Sequence, residues 1–401
     1  MSIVDSLGSL HARVTGIAPA AAQRLATFET ADVLAVPQAA WADLVGRAIE
    51  PNPYFHPGWA RAGARHAEGK SGNQVLLAWD SAARTRLIGL LPVVSAWRAI
   101  QIPSPVLIAW QAYAPLTTPL LDRDMTDIAA RGLLAAAAQA GAYAVLLPLI
   151  AEEGPAASAL RRAAAEFKAA PYSFGRHQRA RLDATQDADA AIGSLGPKKL
   201  KELRRQRNRL ADNGDVVFKV AGPGEETSAA LEAFLSLESA GWKGATGTAL
   251  AAKAGDALFI KTAIQEMAAT GDAEMATLSS GNKVVAAGML LRHLRRGYFA
   301  KIAYDESAAK MSPGVQITLD ITRHLCADAR FDDADSTAVA DHPMIDHIWR
   351  SRLAVCDLLV PAQPGKFPLA VLATIIGAHR VLRNTARIIY HRLRSLKGSR
   401  P

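Results

Sequence analysis

At 401 residues the chain exceeds the ~250–300 at which one hydrophobic core stops growing, so its length predicts two domains. Half of it is hydrophobic and a fifth charged, ordinary for a soluble globular protein. The longest apolar run, Phe367–Ala378, has twelve residues, short of the ~18–20 of a membrane span.

The N-terminus MSIVDSLGSLHARV lacks a basic start followed by an apolar stretch, so no secretory signal is expected. Cys326 and Cys356 provide neither a disulfide framework nor a zinc spacing, fit a reduced cytoplasmic compartment, and each reads as a small core residue. The net charge of +9 is concentrated. Lys198–Arg209 carries seven Lys/Arg against Glu202, and His379–Pro401 carries seven Lys/Arg and no acid, leaving about −4 elsewhere.

In chain order, Arg24–Val36 reads as a strand, Ala39–Ile49 as a helix, and Gln74–Trp79 and Arg86–Val94 as two strands. Pro103–Pro119, with four prolines, cannot be a regular helix. Met125–Ala140 reads as a helix, Ala142–Ile150 as a strand and Pro155–Ala169 as a helix. The polar stretch Ala180–Gly196 reads as the inter-domain link.

A basic helix then runs from Pro197 to Asp212 and stops at Asn213-Gly214. Val216–Val220 is a strand, and Glu225–Ala240 and Asp256–Ala269 are helices. Glu274–Ser280, Val284–Arg292 and Tyr298–Tyr304 are strands, the first two joined by a Gly281-Asn282 hairpin. A polar turn closes on Ser312-Pro313-Gly314, and an amphipathic helix opens at Val315. Phe331–Val339 reads as a strand, Met344–Arg352 as a short helix and Ala354–Val360 as the last apolar run. The similar alternation in the two halves points to a duplicated unit.

Several marks read in order carry a family resemblance. They are Asn52-Pro53-Tyr54-Phe55-His56-Pro57-Gly58-Trp59, the basic helix Lys198–Arg209, Gly241-Trp242-Lys243, Tyr304-Asp305, Ser312-Pro313-Gly314 and Phe331-Asp332-Asp333. Over residues 40–355, and most closely 195–355, the chain resembles the acetyltransferases associated with bacterial cellulose biosynthesis (CelD/BcsL type), within the GCN5-related N-acetyltransferase superfamily.

The resemblance implies an α/β fold of tandem acetyltransferase-like domains, each a mixed, mostly antiparallel sheet flanked by helices. The first would span 22–179 and lack its own cofactor, the link 180–196, and the second, catalytic domain 197–362. A basic amphipathic tail would cover 366–398. The resemblance also implies kinship with Fem-type aminoacyltransferases, which use aminoacyl-tRNA. The superfamily's pyrophosphate loop usually reads Gln/Arg-x-x-Gly-x-Gly/Ala, and this chain departs from it with Ser-Pro-Gly-Val-Gln.

The expected chemistry is transfer of an acetyl or longer acyl group from acyl-coenzyme A to an amine, with no metal. As a donor site, Gly314 lets backbone approach a diphosphate, and the amides of Val315, Gln316 and Ile317 donate to it, with Ser312 and Pro313 shaping the entry. The same residues also read as a plain helix entry with Ser312 as N-cap.

Tyr304 could protonate the leaving thiolate and Asp305 take the amine proton; alternatively Asp305 starts a turn and Tyr304 is half-buried. His342 is a second base candidate, in a segment where Asp341 reads as a helix cap. Glu238, Trp242 and Lys243 could wall the acceptor site, or Trp242 could anchor the core. No Gly-x-Ser-x-Gly elbow, P-loop or Gly-x-Gly-x-x-Gly after a strand is present.

The acceptor implied by the resemblance is a sugar amine or another cell-envelope or polysaccharide precursor. In a Fem-type alternative, Lys198–Arg209 would contact tRNA; otherwise it is a solvated face with Leu200, Leu203 and Leu210 packed inward. A non-enzymatic binding scaffold is the remaining alternative. In the tail, Leu382, Ala386, Ile389, Leu393 and Leu396 recur at helical spacing while Arg380, Arg383, Arg387, Arg394 and Lys397 take other faces. That pattern suits an anionic membrane surface, here the inner face of the cytoplasmic membrane, with docking onto the protein itself or a partner helix as the rival.

Overall fold

The computed structural model describes residues 26–68, 74–167, 170–364 and 368–379. Its strands are β1 (Thr27–Asp32), β2 (Gln74–Trp79), β3 (Leu87–Ser95), β4 (Val106–Ala109), β5 (Leu120–Leu121), β6 (Ala144–Ala151) and β7 (Tyr172–Asp183) in the first half. The second half holds β8 (Val216–Val220), β9 (Ala273–Ser280), β10 (Lys283–His293), β11 (Arg296–Tyr304), β12 (Asp333–Asp335) and β13 (Ser351–Pro361). The mixed α/β class is as expected. The strands, however, form one continuous sheet in the order β1-β2-β3-β4-β6-β13-β7-β12-β11-β10-β9-β8, with β5 beside β3.

The expected duplication is visible as a shared order of elements. Each half runs through a strand, two main helices, three antiparallel strands, a helix, a strand parallel to the third, a helix and a final strand. The final strands are exchanged: β13 pairs with β6 of the first half, and β7 pairs with β12 of the second. β7 and β13 also pair with each other. The two halves therefore share their middle strands.

Sequence periodicity missed β7, and the expected link 180–196 starts inside it. The reason is chemical. Arg179 and Arg181 interrupt the apolar alternation, yet they pair with Asp335 and Asp333, partners supplied by a strand far along the chain. Ala180 and Leu182 are buried. The remainder of that segment forms a short helix, Ala188–Gly193.

Two further elements are shorter than expected. The Phe331–Val339 strand shrinks to Asp333–Asp335 because Asp335 Oδ1 accepts the Thr337 N–H at 2.8 Å, and Thr337 has a φ of 52°, which turns the chain. The Met344–Arg352 helix is only Ile345–Ile348. It stops at Trp349, fully buried with its indole N–H on Thr322 Oγ1 at 2.9 Å. By contrast, Gly281 turns the β9–β10 hairpin with a φ of 56°, and Ser280 pairs with Lys283 as the two-residue signal predicts.

The helices Glu225–Ala240 and Ala254–Ala269 cover one face of the second half, and the helix Pro313–Ala327 covers the other. The first half reaches into this core through the Asn52–Trp59 patch. Tyr54 and Trp59 meet edge to face with centroids 5.1 Å apart, and Trp59 meets Phe259 at 5.2 Å. Burying aromatic side chains of this size contributes roughly 1.5–3 kcal/mol each. Cys356 is buried and Cys326 partly so, and both are free thiols.

Candidate active site

The end of β11 is open on one side. β12 runs parallel to it for three pairs only, Arg296↔Asp333, Gly297↔Ala334 and Tyr298↔Asp335, and then turns away. On the other side the β10 register steps from Leu290↔Phe299 to Met289↔Lys301. Ala300 thus faces no residue of either neighbour, as in a β-bulge. Thr337 Oγ1 donates to Phe299 O at 2.8 Å and closes the base of the wedge. Beyond it, Ala300–Tyr304 presents a strand edge to which an amide-bearing ligand can add.

β11 leads through Asp305 into a short 3₁₀ turn, Glu306–Met311, and then into the helix Pro313–Ala327. Asp305 Oδ1 accepts the Ser307 N–H at 2.9 Å, and Lys283 pairs with its other oxygen. The Lys283 contact, and then Ser307, hold this carboxyl below the usual range. Asp305 is a turn cap and a poor proton acceptor at neutral pH.

The helix entry differs from the expected one. Ser312 sits at φ 51° and ψ 50° and makes no side-chain cap bond. Its carbonyl accepts the Gln316 N–H at 3.0 Å, so that amide, and Ile317 after it, belong to the helix. The amides left at the start are those of Gly314 and Val315. The Gln316 side chain points inward and donates to Leu203 O at 2.9 Å. A Cβ on Gly314 would lie 3.1 Å from Tyr304 Cδ1 and 3.7 Å from Ile302 Cδ1. Gly314 therefore makes room for the Tyr304 ring.

A cavity of about 490 Å³ opens beside Val315. Its apolar wall is Leu195, Leu203, Val315, Met344 and Ile348, and the exposed Lys199, His347 and Arg350 border it. The sequence marks Val315 as a donor-site residue but gives none of the three basic side chains a place in that site. Lys199 was visible only as part of the basic helix, and Arg350 had no motif to mark it.

A smaller groove of about 40 Å³ is lined by Glu238, Trp242, Lys243, Tyr304 and Glu306 with Leu237, Gly241, Ile302 and Ala303. Glu238, Trp242, Lys243 and Tyr304, separated in sequence, thus meet here. Trp242 is 59% exposed, which makes it a groove wall and not a core anchor. Glu238 is buried but satisfied by Lys243 Nζ at 2.8 Å and the Leu250 N–H at 2.8 Å. Lys301 Nζ lies 3.9 Å from the same carboxylate and 5.7 Å from the Tyr113 ring centre.

His342 lines neither space. Its Nδ1 accepts from the Met344 and Ile345 amides at 3.3 and 3.4 Å, so it takes the capping role expected of Asp341. Among the described residues, Glu274, His324 and Asp328 come close enough to hold a metal ion. Arg330 occupies the position between the two carboxylates. In the first half, Asp122 stands before the helix Thr126–Gln139; it is buried and paired with Arg47 and Arg86.

No curated protein sequence matches the chain. Its structure is similar to the C-terminal domain assigned to a lysylphosphatidylglycerol synthetase of Agrobacterium fabrum. That likeness has a TM-score of 0.51 and 15% identity, covering 82% of this chain and 92% of that one. It is also similar to FemX, with a TM-score of 0.51 and 9% identity over 83% and 97% of the two chains. At such identities the likeness is one of fold. Residues 197–363, which hold the open edge of β11, the smaller groove, the helix entry and most of the larger cavity's wall, match the family model described as an acetyltransferase (GNAT) domain.

Proposed function

We propose that the protein transfers an acyl group from acyl-coenzyme A to an amine by direct attack. The observation that carries this reading is the place of Tyr304. Its ring packs over Gly314 at the helix entry, and the same residue lines the groove of Glu238, Trp242 and Lys243.

The donor's amide-bearing arm would add along Ala300–Tyr304, and its diphosphate would reach the Gly314 and Val315 amides. Lys199 and Arg350 supply countercharge across the cavity. The acceptor nitrogen, held between Trp242 and Tyr304, adds to the thioester carbonyl while the Ala300 peptide N–H donates to the developing oxyanion. The carbon–sulfur bond then breaks, and the Tyr304 hydroxyl protonates the departing thiolate, which leaves as coenzyme A thiol. The nitrogen loses its proton to solvent in the open groove, because Asp305 is capped and His342 lies outside it. The CelD/BcsL resemblance makes a sugar amine or another envelope precursor the acceptor.

A thermal-shift titration with acetyl-coenzyme A, a longer acyl-coenzyme A and free coenzyme A tests the reading. Saturation at ~100 times Kd should stabilise the fold by about 2.7 kcal/mol, and Lys199→Ala with Arg350→Ala should weaken binding. No shift with any of the three ligands would end the proposal.

One observation favours a second reading. Lys198, Lys201, Arg204, Arg205 and Arg209 are all exposed on the helix that also brings Lys199 to the cavity. A Fem-type donor, aminoacyl-tRNA, would use that face. It predicts tRNA binding that weakens steeply with added salt.

A further inference from the structure

Helical residues 369–379 present apolar side chains on two sides. Leu369, Leu372, Ala373 and Ile376 are buried against Val106, Ile108, Leu146 and Leu359 of the sheet. The outward side carries Val371, 47% exposed, and Ile375, 45% exposed, and no residue from 368 to 379 is Asp, Glu, Lys or Arg. A helix that is apolar all round is normally buried, and among the described residues nothing covers this outer side. The short helix Ala96–Ile100 lies on the same cluster through Ala96, Ala99 and Ile100. It holds up Trp97, at 61% exposure the most exposed aromatic side chain among the described residues, next to exposed Arg98.

We propose that this face, Trp97 with Val371 and Ile375, rests on an anionic lipid surface. Charge argues for lipid over a second copy of the chain. Residues 380–401, which follow this helix in the sequence, contain seven Lys/Arg and no acid, a net charge of +7. Two copies joined here would bring like charges together, whereas anionic headgroups would neutralise them. A tryptophan beside aliphatic side chains is the combination that settles at the boundary between headgroups and acyl chains. No helix of the described residues is long and apolar enough to cross a membrane, so the contact is one of lying on the surface.

The full chain should co-sediment with vesicles of phosphatidylglycerol mixed with phosphatidylcholine, and far less with phosphatidylcholine alone. Added salt should weaken the binding. The double variant Val371→Asp/Ile375→Asp should reduce it by about tenfold or more, and Trp97→Ser should reduce it separately. Because all three positions are exposed, the melting temperature should stay unchanged. The proposal is overturned if the full chain does not sediment with the anionic vesicles, or if the double variant binds as well as the parent. It is equally overturned if light scattering finds a dimer that the double variant dissolves.

Discussion

Arg179 and Asp335 form an ion pair with each side chain only 2% exposed, and the pair joins the exchanged strand β7 to β12 at the base of the wedge beside β11. Arg179 also donates to Pro115 O at 2.9 Å, while its Nε has no partner among the described residues. A charge so placed cannot fall back on water. Breaking such a pair from one side costs about 3–5 kcal/mol, whereas replacing both partners with apolar residues can be nearly neutral. Asp335→Asn should therefore destabilise by that amount in urea unfolding, and Arg179→Met/Asp335→Leu by clearly less. Equal losses in the two variants would mean that packing, not charge, holds the joint.

Tyr304→Phe removes only a hydroxyl from a partly exposed ring, so the fold should keep its melting temperature. If that hydroxyl protonates the leaving thiolate, kcat should fall by roughly 10²-fold or more with little change in donor KM. Steady-state kinetics decides. Unchanged kcat would return Tyr304 to a purely structural part.

Gly314→Ala sets a methyl 3.1 Å from Tyr304 Cδ1, tighter than ordinary contact. The ring stands at the surface and can yield, so the cost should be at the low end of overpacking, about 1 kcal/mol. The displaced Tyr304 should lower kcat more than it raises donor KM. A loss confined to donor KM would instead place the ligand's backbone approach at Gly314.

Acid should loosen the contact between the halves. Burial is the main cause that pushes His56 down to about 4, with Asp272 opposing and His293 adding to the effect. His293 is also lowered, again chiefly by burial. Both are neutral acceptors: Nδ1 of His56 takes the Gly58 N–H at 3.1 Å, and that of His293 takes the Asn52 N–H at 2.7 Å. An unfolded histidine takes up its proton near pH ~6.5, the folded ones only lower. The unfolded state thus binds more protons in this window, and stability falls as pH drops from about 6.5 toward 4. For His56 the loss reaches about 3 kcal/mol. Melting temperatures across that range should show the decline, and His56→Gln should flatten it.

Much of the second half was legible in sequence because its strands bury one face and its turns carry their own chemistry, as Gly281-Asn282 and Asn213-Gly214 do. β7 was not, since Arg179 and Arg181 make its buried end look like surface until Asp333 and Asp335 are placed beside it. Glu238, Trp242, Lys243 and Tyr304, candidates in the sequence because they fall near ends of well-defined elements, line one groove in the structure. Asp305 and His342 were open to two readings because a carboxylate or imidazole that caps a turn has the same composition as one that accepts a substrate proton; the structure shows both making capping contacts. Lys199, His347 and Arg350 converge only through tertiary packing, which no local spacing reports. The amphipathic tail expected over 366–398 falls largely outside the described residues, apart from its helical beginning.

The exchange of β7 and β13 also dictates how the chain can be made. During synthesis β6 emerges early and keeps a bare edge until Ser351–Pro361 has been translated, so the first half cannot finish while the second is still on the ribosome. Neither half has a sheet it can close alone. Ordering the wedge beside β11 and completing the far half are thus a single late event, and a nascent chain stopped short of β13 would hold two unfinished sheets for chaperones to shield.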